Sequence, residues 1–283
     1  MVHIPVTDTK NPDEVIEFSH IREDAEKGHW KKENVISLKN IKINIFVEGN
    51  FLFFTDGKSY TPEYGDICVL SPFKMHSANI TKPTHTDYFQ IDIGIKALNF
   101  VPDGANLINK IISYSDSKKA FSRPADKYVK LIISVCNAIE SAILSENKTL
   151  AFAKIIEMVS LLCEMYEKSE NVPNNTFTLF TKNTINFIRE NYSENITVKI
   201  LAEKFNVSPS YLSRIFKKET GMGIHEYLMV YRVTKASKLL YKHSVADVCY
   251  MCAFSDSSHF ISVFKKHFNV TPFQYKKMLG LTQ

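Results

Sequence analysis

Residues Ile196–Gly221 read ITVKILAEKFNVSPSYLSRIFKKETG, and Ser244–Asn269 read SVADVCYMCAFSDSSHFISVFKKHFN. At a spacing of 48, Leu212, Ile215, Phe216, Lys217 and Lys218 fall on Phe260, Val263, Phe264, Lys265 and Lys266. A pattern repeated at fixed spacing marks one structural unit used twice. In the first copy Thr197 is placed to cap a short helix whose inner face is Leu201, Ala202 and Phe205. Phe205-Asn206-Val207 reads as a turn, and Ser208 caps a second helix with Pro209 at its first position, where a missing N–H is harmless. Leu212, Ile215 and Phe216 form its core stripe, and Gly221 ends it in a left-handed conformation. Each copy is therefore predicted to be a helix-turn-helix.

The opposite face of the first copy's second helix carries Ser210, Ser213, Arg214 and Lys217, followed by Lys218. These residue types suit a helix in the major groove of double-stranded DNA. Arginine can bond guanine through two hydrogen bonds, hydroxyls serve donor or acceptor edges, and lysine reaches phosphate. In the second copy Asp256 replaces Ser208 as the cap and Asn269 stands where Gly221 stood. Phe260, Val263 and Phe264 face inward, and Ser258, Ile261, Ser262 and Lys265 face outward. That outward face is poorer in long polar side chains, so weaker base discrimination is expected from it, with Ile261 directed to a thymine methyl. Between the copies, Ile224–Tyr241 is predicted as one helix spanning roughly 27 Å. With the width of its neighbours, that separates the two readers by about one duplex turn, ~34 Å. Thr271-Pro272 then precedes a last short helix around Phe273–Leu279.

Charge is distributed to match. Residues 179–283 hold 15 Lys/Arg against 7 Asp/Glu, whereas residues 1–178 hold 20 against 23. The basic third is where a polyanion would bind. The chain of 283 residues has room for two domains, and it has no apolar run long enough for a membrane helix. Cys68, Cys136, Cys163, Cys249 and Cys252 are odd in number and lack framework spacing, and the N-terminus lacks the order of a signal peptide. A cytoplasmic protein is expected.

The first hundred residues read as β-structure. Ile41, Ile43, Ile45 and Val47 alternate with mostly polar residues, the period of a half-buried strand. Phe51/Phe53, Ile67/Val69 and Phe89/Ile91/Ile93 mark further strands, and Thr55-Asp56-Gly57-Lys58 reads as a tight hairpin. A small barrel or sandwich follows. From Pro124 the period turns helical. Tyr128, Leu131, Ile132, Val135, Ile139 and Ile143 form one stripe, and Leu150, Ala153, Ile156, Val159, Leu162, Cys163 and Tyr166 another. This antiparallel pair either packs on the β-structure or pairs with a second copy of itself. Ser169–Thr178 is polar and reads as a linker, giving domains at 1–168 and 179–283.

The stretch SPSYLSRIFKKETGMGIHEYL, then YRVTKASKLL and FSDSSHFISVFKKHFNVTPFQYKK, resembles the AraC/XylS family of bacterial transcription regulators across residues 181–280. The resemblance implies an α+β protein of two domains, an N-terminal cupin-like β-barrel with a helical pair and a C-terminal all-α double helix-turn-helix. It implies a DNA-binding activator that acts with RNA polymerase, dimerises through residues 124–168, and is gated by a small effector in the barrel. Carried over by position, Ser210, Ser213, Arg214, Lys217 and Lys218 would contact DNA in the first unit. Ser257, Ser258, Ser262, Lys265 and Lys266 would do so in the second, while Arg232 and Ala236 match the connecting helix. Two departures stand in the second unit, Val248-Cys249 for Ile-Ala and Ala253-Phe254 for Gly-Phe, the latter placing strain in the turn. Less specifically, Tyr60–Ile67 with Pro72 and His76 resembles the family's barrel, with Trp30, Tyr64 and His76 as effector-binding candidates.

Other classes fit less well. His20, His29, His76 and His85 could serve a metal in a cupin, but there is no His-x-His pair, and Lys31 stands where a second ligand would follow His29. No metal or cofactor is expected, and no catalytic residue. Cys249-x-x-Cys252 has zinc or redox spacing but lies in a predicted helix without a second ligand pair. A family offshoot that repairs alkylated DNA is excluded by its missing N-terminal cysteines. A basic module that binds a protein or anionic lipid is the remaining alternative, separated from a regulator by base specificity.

Overall fold

The computed structural model describes residues 2–5, 7, 13–26, 40–55, 58–72, 74–80, 82–116, 120–168, 170–171, 177–268 and 270–278. Among the described residues the N-terminal half holds ten strands, β1 (Val2–Pro5), β2 (Ile16–Ala25), β3 (Asn40–Glu48), β4 (Leu52–Thr55), β5 (Lys58–Tyr60), β6 (Ile67–Leu70), β7 (His76–Asn79), β8 (Thr84–Gly94), β9 (Phe121–Arg123) and β10 (Glu170–Asn171). Three helices accompany them, α1 (Gly104–Asp116), α2 (Asp126–Leu144) and α3 (Lys148–Lys168). The rest is helical: α4 (Leu179–Asn191), α5 (Val198–Lys204), α6 (Pro209–Thr220), α7 (Ile224–Leu239), α8 (Val245–Met251), α9 (Ser257–Phe268) and α10 (Pro272–Met278).

The strands form two sheets, ordered β1-β2-β8-β3-β6-β9-β10 and β5-β4-β7. Among the described residues this is not the closed barrel expected from the resemblance. One face of the large sheet, with Phe18, Ile43, Ile67, Val69 and Ile91, packs on α1, α2 and α3. Phe46, Phe51, Phe53, Tyr60 and Phe121 fill the layer between large and small sheets. Tyr60 and Phe121 stack at 4.3 Å, and Phe46 and Phe121 at 5.6 Å. Strand β3 is consequently buried on both sides, not half-buried as its alternation suggests. Its polar residue Lys42 is buried with it and pairs with Asp92 of β8 at 3.1 Å. Thr55 pairs with Lys58 across the predicted hairpin, while Asp56 and Gly57 lie outside the described residues. Strand β2 and helix α1 fall outside the sequence-based expectations, although Leu107, Ile108, Ile111 and Ile112 of α1 follow a helical period and pack in the core.

Most of the first helical stripe and the C-terminal part of the second pack inward, while Ala153 at the start of the second is exposed. Tyr128, Ile132, Val135, Ile139 and Ile143 of α2 are buried with Val159, Leu162, Cys163 and Tyr166 of α3. Leu131, Leu144 and Leu150 remain exposed. His20 of β2 ties this layer together, with one ring nitrogen 2.8 Å from Asp87 and the other 2.9 Å from Glu140 of α2. Most of the predicted linker 169–178 lies outside the described residues, but its ends do not behave as one. Glu170 and Asn171 pair with β9, and Phe177 is buried in the C-terminal core.

Candidate nucleic-acid interface

Both helix-turn-helix units form where the capping residues place them. Thr197 accepts from the Ile200 N–H at 3.2 Å to start α5, and Ser208 accepts from Tyr211 N–H at 3.2 Å to start α6. Gly221 closes α6 at φ 77°. In the second unit Ser244 accepts from the Asp247 N–H at 3.1 Å, and Asp256 from the His259 N–H at 2.7 Å. That backbone bond holds the Asp256 carboxyl below the usual carboxylate range. Asn269, the predicted end of α9, lies outside the described residues. The last helix α10 is fixed by a reciprocal pair, Thr271 Oγ1 accepting from Gln274 N–H and Gln274 Oε1 from Thr271 N–H.

The units differ in their turns. The left-handed residue is Asn206 (φ 53°) in the first and Ala253 (φ 52°) in the second. Asn206 and Ala253 are 47 residues apart, as are the caps Thr197 and Ser244, whereas Ser208 and Asp256 are 48 apart. The second turn therefore contains one more residue than a uniform repeat implies. Left-handed geometry at an alanine costs about 1–2 kcal/mol, so the strain expected at Ala253 is present in its backbone.

A single core carries both helix-turn-helix units. Leu212 and Phe216 of α6, Phe260 and Phe264 of α9, and Leu228, Val230, Val233 and Ala236 of α7 share one cluster. Helix α7 ends at Leu239, two residues before the predicted limit, and is buried around most of its circumference as the spine between units. Arg232 is part of that spine. Its Nε donates to the Tyr192 carbonyl at 2.8 Å and a terminal nitrogen to the Glu194 carbonyl at 2.6 Å. Those acceptors sit at and just past the end of α4, where helix carbonyls lack intrahelical partners.

The candidate contact residues remain outside this core. Ser210, Arg214, Lys217 and Lys218 of α6 are exposed and Ser213 is half-buried. Ser257, Ser258, Ser262, Lys265 and Lys266 of α9 are exposed. Sequence reasoning missed Tyr211. The Arg214 guanidinium lies over its ring at 5.9 Å, and the ring meets Phe180 of α4 edge-on at 5.8 Å. The available signal was an aromatic three residues before an arginine on one helix.

Of the effector candidates, Tyr64 is exposed and His76 is buried. Tyr64 is 59% exposed, in the turn before β6, so it does not line the interior. His76 is buried against Phe53, its ring centroid 6.2 Å away, and its Nδ1 donates to the Lys74 carbonyl at 3.3 Å. Burial, and then the Lys42 charge, push its pKa down to about 3. Trp30, His29 and Lys31 lie outside the described residues. His85 pairs with Asp24 at 2.9 Å on the surface. Among the described residues no group of three or more His, Cys, Asp and Glu is placed to hold a metal ion. Cys249 and Cys252 are buried free thiols.

The family described as a helix-turn-helix domain matches residues 201–278. A solved structure of the C-terminal domain of a two-component response regulator from Fusobacterium nucleatum is 33% identical, with 35% of this chain and 99% of that one covered and a TM-score of 0.34. The chain belongs to the AraC family of bacterial transcription regulators. Two curated relatives extend the similarity beyond the AraC-type region. The Msm operon regulatory protein of Streptococcus mutans is 29% identical over 173 residues, 59% of this chain and 62% of the relative, less than two thirds of its length. The lactose operon transcription activator of Staphylococcus xylosus is 25% identical over 237 residues, 83% of this chain and 82% of the relative. No helix among the described residues is long and apolar enough to cross a membrane.

Proposed function

We propose that this AraC-type chain is a cytoplasmic, sequence-specific DNA-binding activator of transcription that works with RNA polymerase. Residues 179–283 read DNA, residues 1–168 sense and dimerise, and residues 169–178 join them. The observation that carries the reading is the pair of capped helices α6 and α9, each turning serine, lysine or arginine side chains outward from one shared core. The activator assignment is supported by the relative named as a lactose operon transcription activator. Homodimerisation through residues 124–168 is supported by Leu131, Leu144 and Leu150, exposed apolar side chains on α2 and α3. Gating by a small effector belongs to the two-sheet half, with His76 as its remaining buried candidate.

The test is selection of duplexes from a randomised pool by the purified chain, followed by titration of the enriched duplex and a scrambled one. A specific reader prefers the enriched duplex by about 4–10 kcal/mol at physiological salt. Equal affinity for both would leave a basic module with no reading function, the mark of a protein- or lipid-binding surface.

A further inference from the structure

The small sheet reaches the first reader at its last turn. Ser77 Oγ of β7 donates to the Thr220 carbonyl at 3.1 Å, and both residues are buried. Asn79 Nδ2 donates to the Lys218 carbonyl at 3.2 Å. The last carbonyls of a helix have no partner within it. Two of those of α6 thus bond to side chains 143 and 139 residues earlier in the chain. Below them Phe54 of β4, 2% exposed, packs 6.1 Å from Phe177 and 6.2 Å from Tyr227. Tyr227 in turn meets Phe216 of α6 edge-on at 5.5 Å. Met75 joins the same cluster. On the other side Glu219 accepts from the Thr178 N–H at 3.2 Å, fixing α6 to the start of α4.

We propose that Ser77 and Asn79 are positioning residues for the first reader, forming a C-terminal cap supplied by the sheet that sets the angle at which Arg214 and Lys217 meet DNA. The proposal deepens the reading of α6 as a DNA reader and rests on it. The hydroxyl and amide act on backbone atoms of α6, so they alter no reading side chain directly. Their loss loosens the end of α6 while α9 keeps its packing on α7, α8 and α10.

The experiment uses the full chain and the duplex enriched from a randomised pool, with every base pair substituted in turn. Arg214→Ala marks the base pairs under α6. The double variant Ser77→Ala/Asn79→Ala is expected to bind about three- to ten-fold more weakly, with base discrimination lost under α6 and kept elsewhere. Asn79→Ala, at a partly exposed position, is expected to show the same pattern at smaller size, and decides the matter if the double variant fails to fold. A loss spread evenly over the site, unchanged binding, or tighter binding overturns the proposal, the last by making the contact inhibitory. Should the unmodified chain enrich no duplex, the DNA-reading assignment itself fails and this proposal falls with it.

Discussion

Helices α6 and α9 have the same length, 12 residues, and the same buried stripe, yet they are built for different work. At the position where α6 holds Arg214, α9 holds Ser262. Where α6 ends on Thr220, α9 ends on Phe268, which stacks on Phe264 at 4.3 Å and meets Tyr275 at 5.5 Å. An aromatic anchor holds α9 within its own unit. The corresponding end of α6 is polar, and its hydroxyl and carbonyl are spent on Phe216 and on Ser77 of the small sheet. The first unit thus carries the long cationic side chain Arg214 and a tie to the N-terminal half. The second is packed like an independent anchor and carries strain in its turn. A duplicated motif keeps its core while its ends and outer faces diverge, because packing constrains only the buried stripe.

Replacing Arg214 by alanine is the hardest test of that asymmetry. It should cost about 1–3 kcal/mol of discrimination at one base position, measured by titrating single-base variants of the selected site. Ser262→Ala should leave preference nearly unchanged, and equal losses at both helices would erase the contrast. His76 tests the tie from the sheet side, since it begins β7, the strand that supplies Ser77 and Asn79. Its pKa lies near 6.5 when unfolded and about 3 when folded, so below neutrality the unfolded chain binds the proton first. Stability contributed by the neutral ring is present above pH 6.5 and is lost progressively as pH falls toward about 3. At pH 5 the loss should be about 2 kcal/mol. His76→Gln should flatten that acid slope in urea unfolding followed against pH, and a slope identical to the parent would place the lability elsewhere.

Ala253→Gly probes the strained turn of the second unit. Relief of the left-handed alanine should raise stability by about 1 kcal/mol, visible as a higher unfolding midpoint. Asn206→Gly, at the equivalent place in the first turn, should gain less, because asparagine tolerates that geometry. The smallest effect is expected at Tyr211. Exchange for leucine should reduce affinity by about 0.5–1 kcal/mol, while exchange for phenylalanine should preserve it. Equal losses in both exchanges would mean that the hydroxyl matters, not the aromatic face beneath Arg214.

The C-terminal half was legible because its signals are local. Thr197, Ser208, Ser244 and Asp256 each bond an N–H three residues on, and these short-range bonds do not wait for a fold. The extra residue in the second turn escaped notice because aligning the readers at 48 conceals a spacing of 47 before them. The N-terminal half was read with less success. Alternation in β3 suggested one wet face, but a second sheet covers that face and buries Lys42 with its partner Asp92. Tyr64 looked like a pocket residue by position in a motif, and a turn places it in solvent.

The sequence by itself determined that two capped helix-turn-helix units exist, which of their faces is apolar, and which side chains are left to meet a polyanion. These follow from helical period and capping, which act over three or four residues. Tertiary structure alone decided that the strands divide between two sheets, that Arg232 braces the end of α4, and that Ser77 and Asn79 reach the end of α6. Those contacts join residues about 40 to 140 positions apart, and no local pattern records a partner that the chain meets only after it has folded.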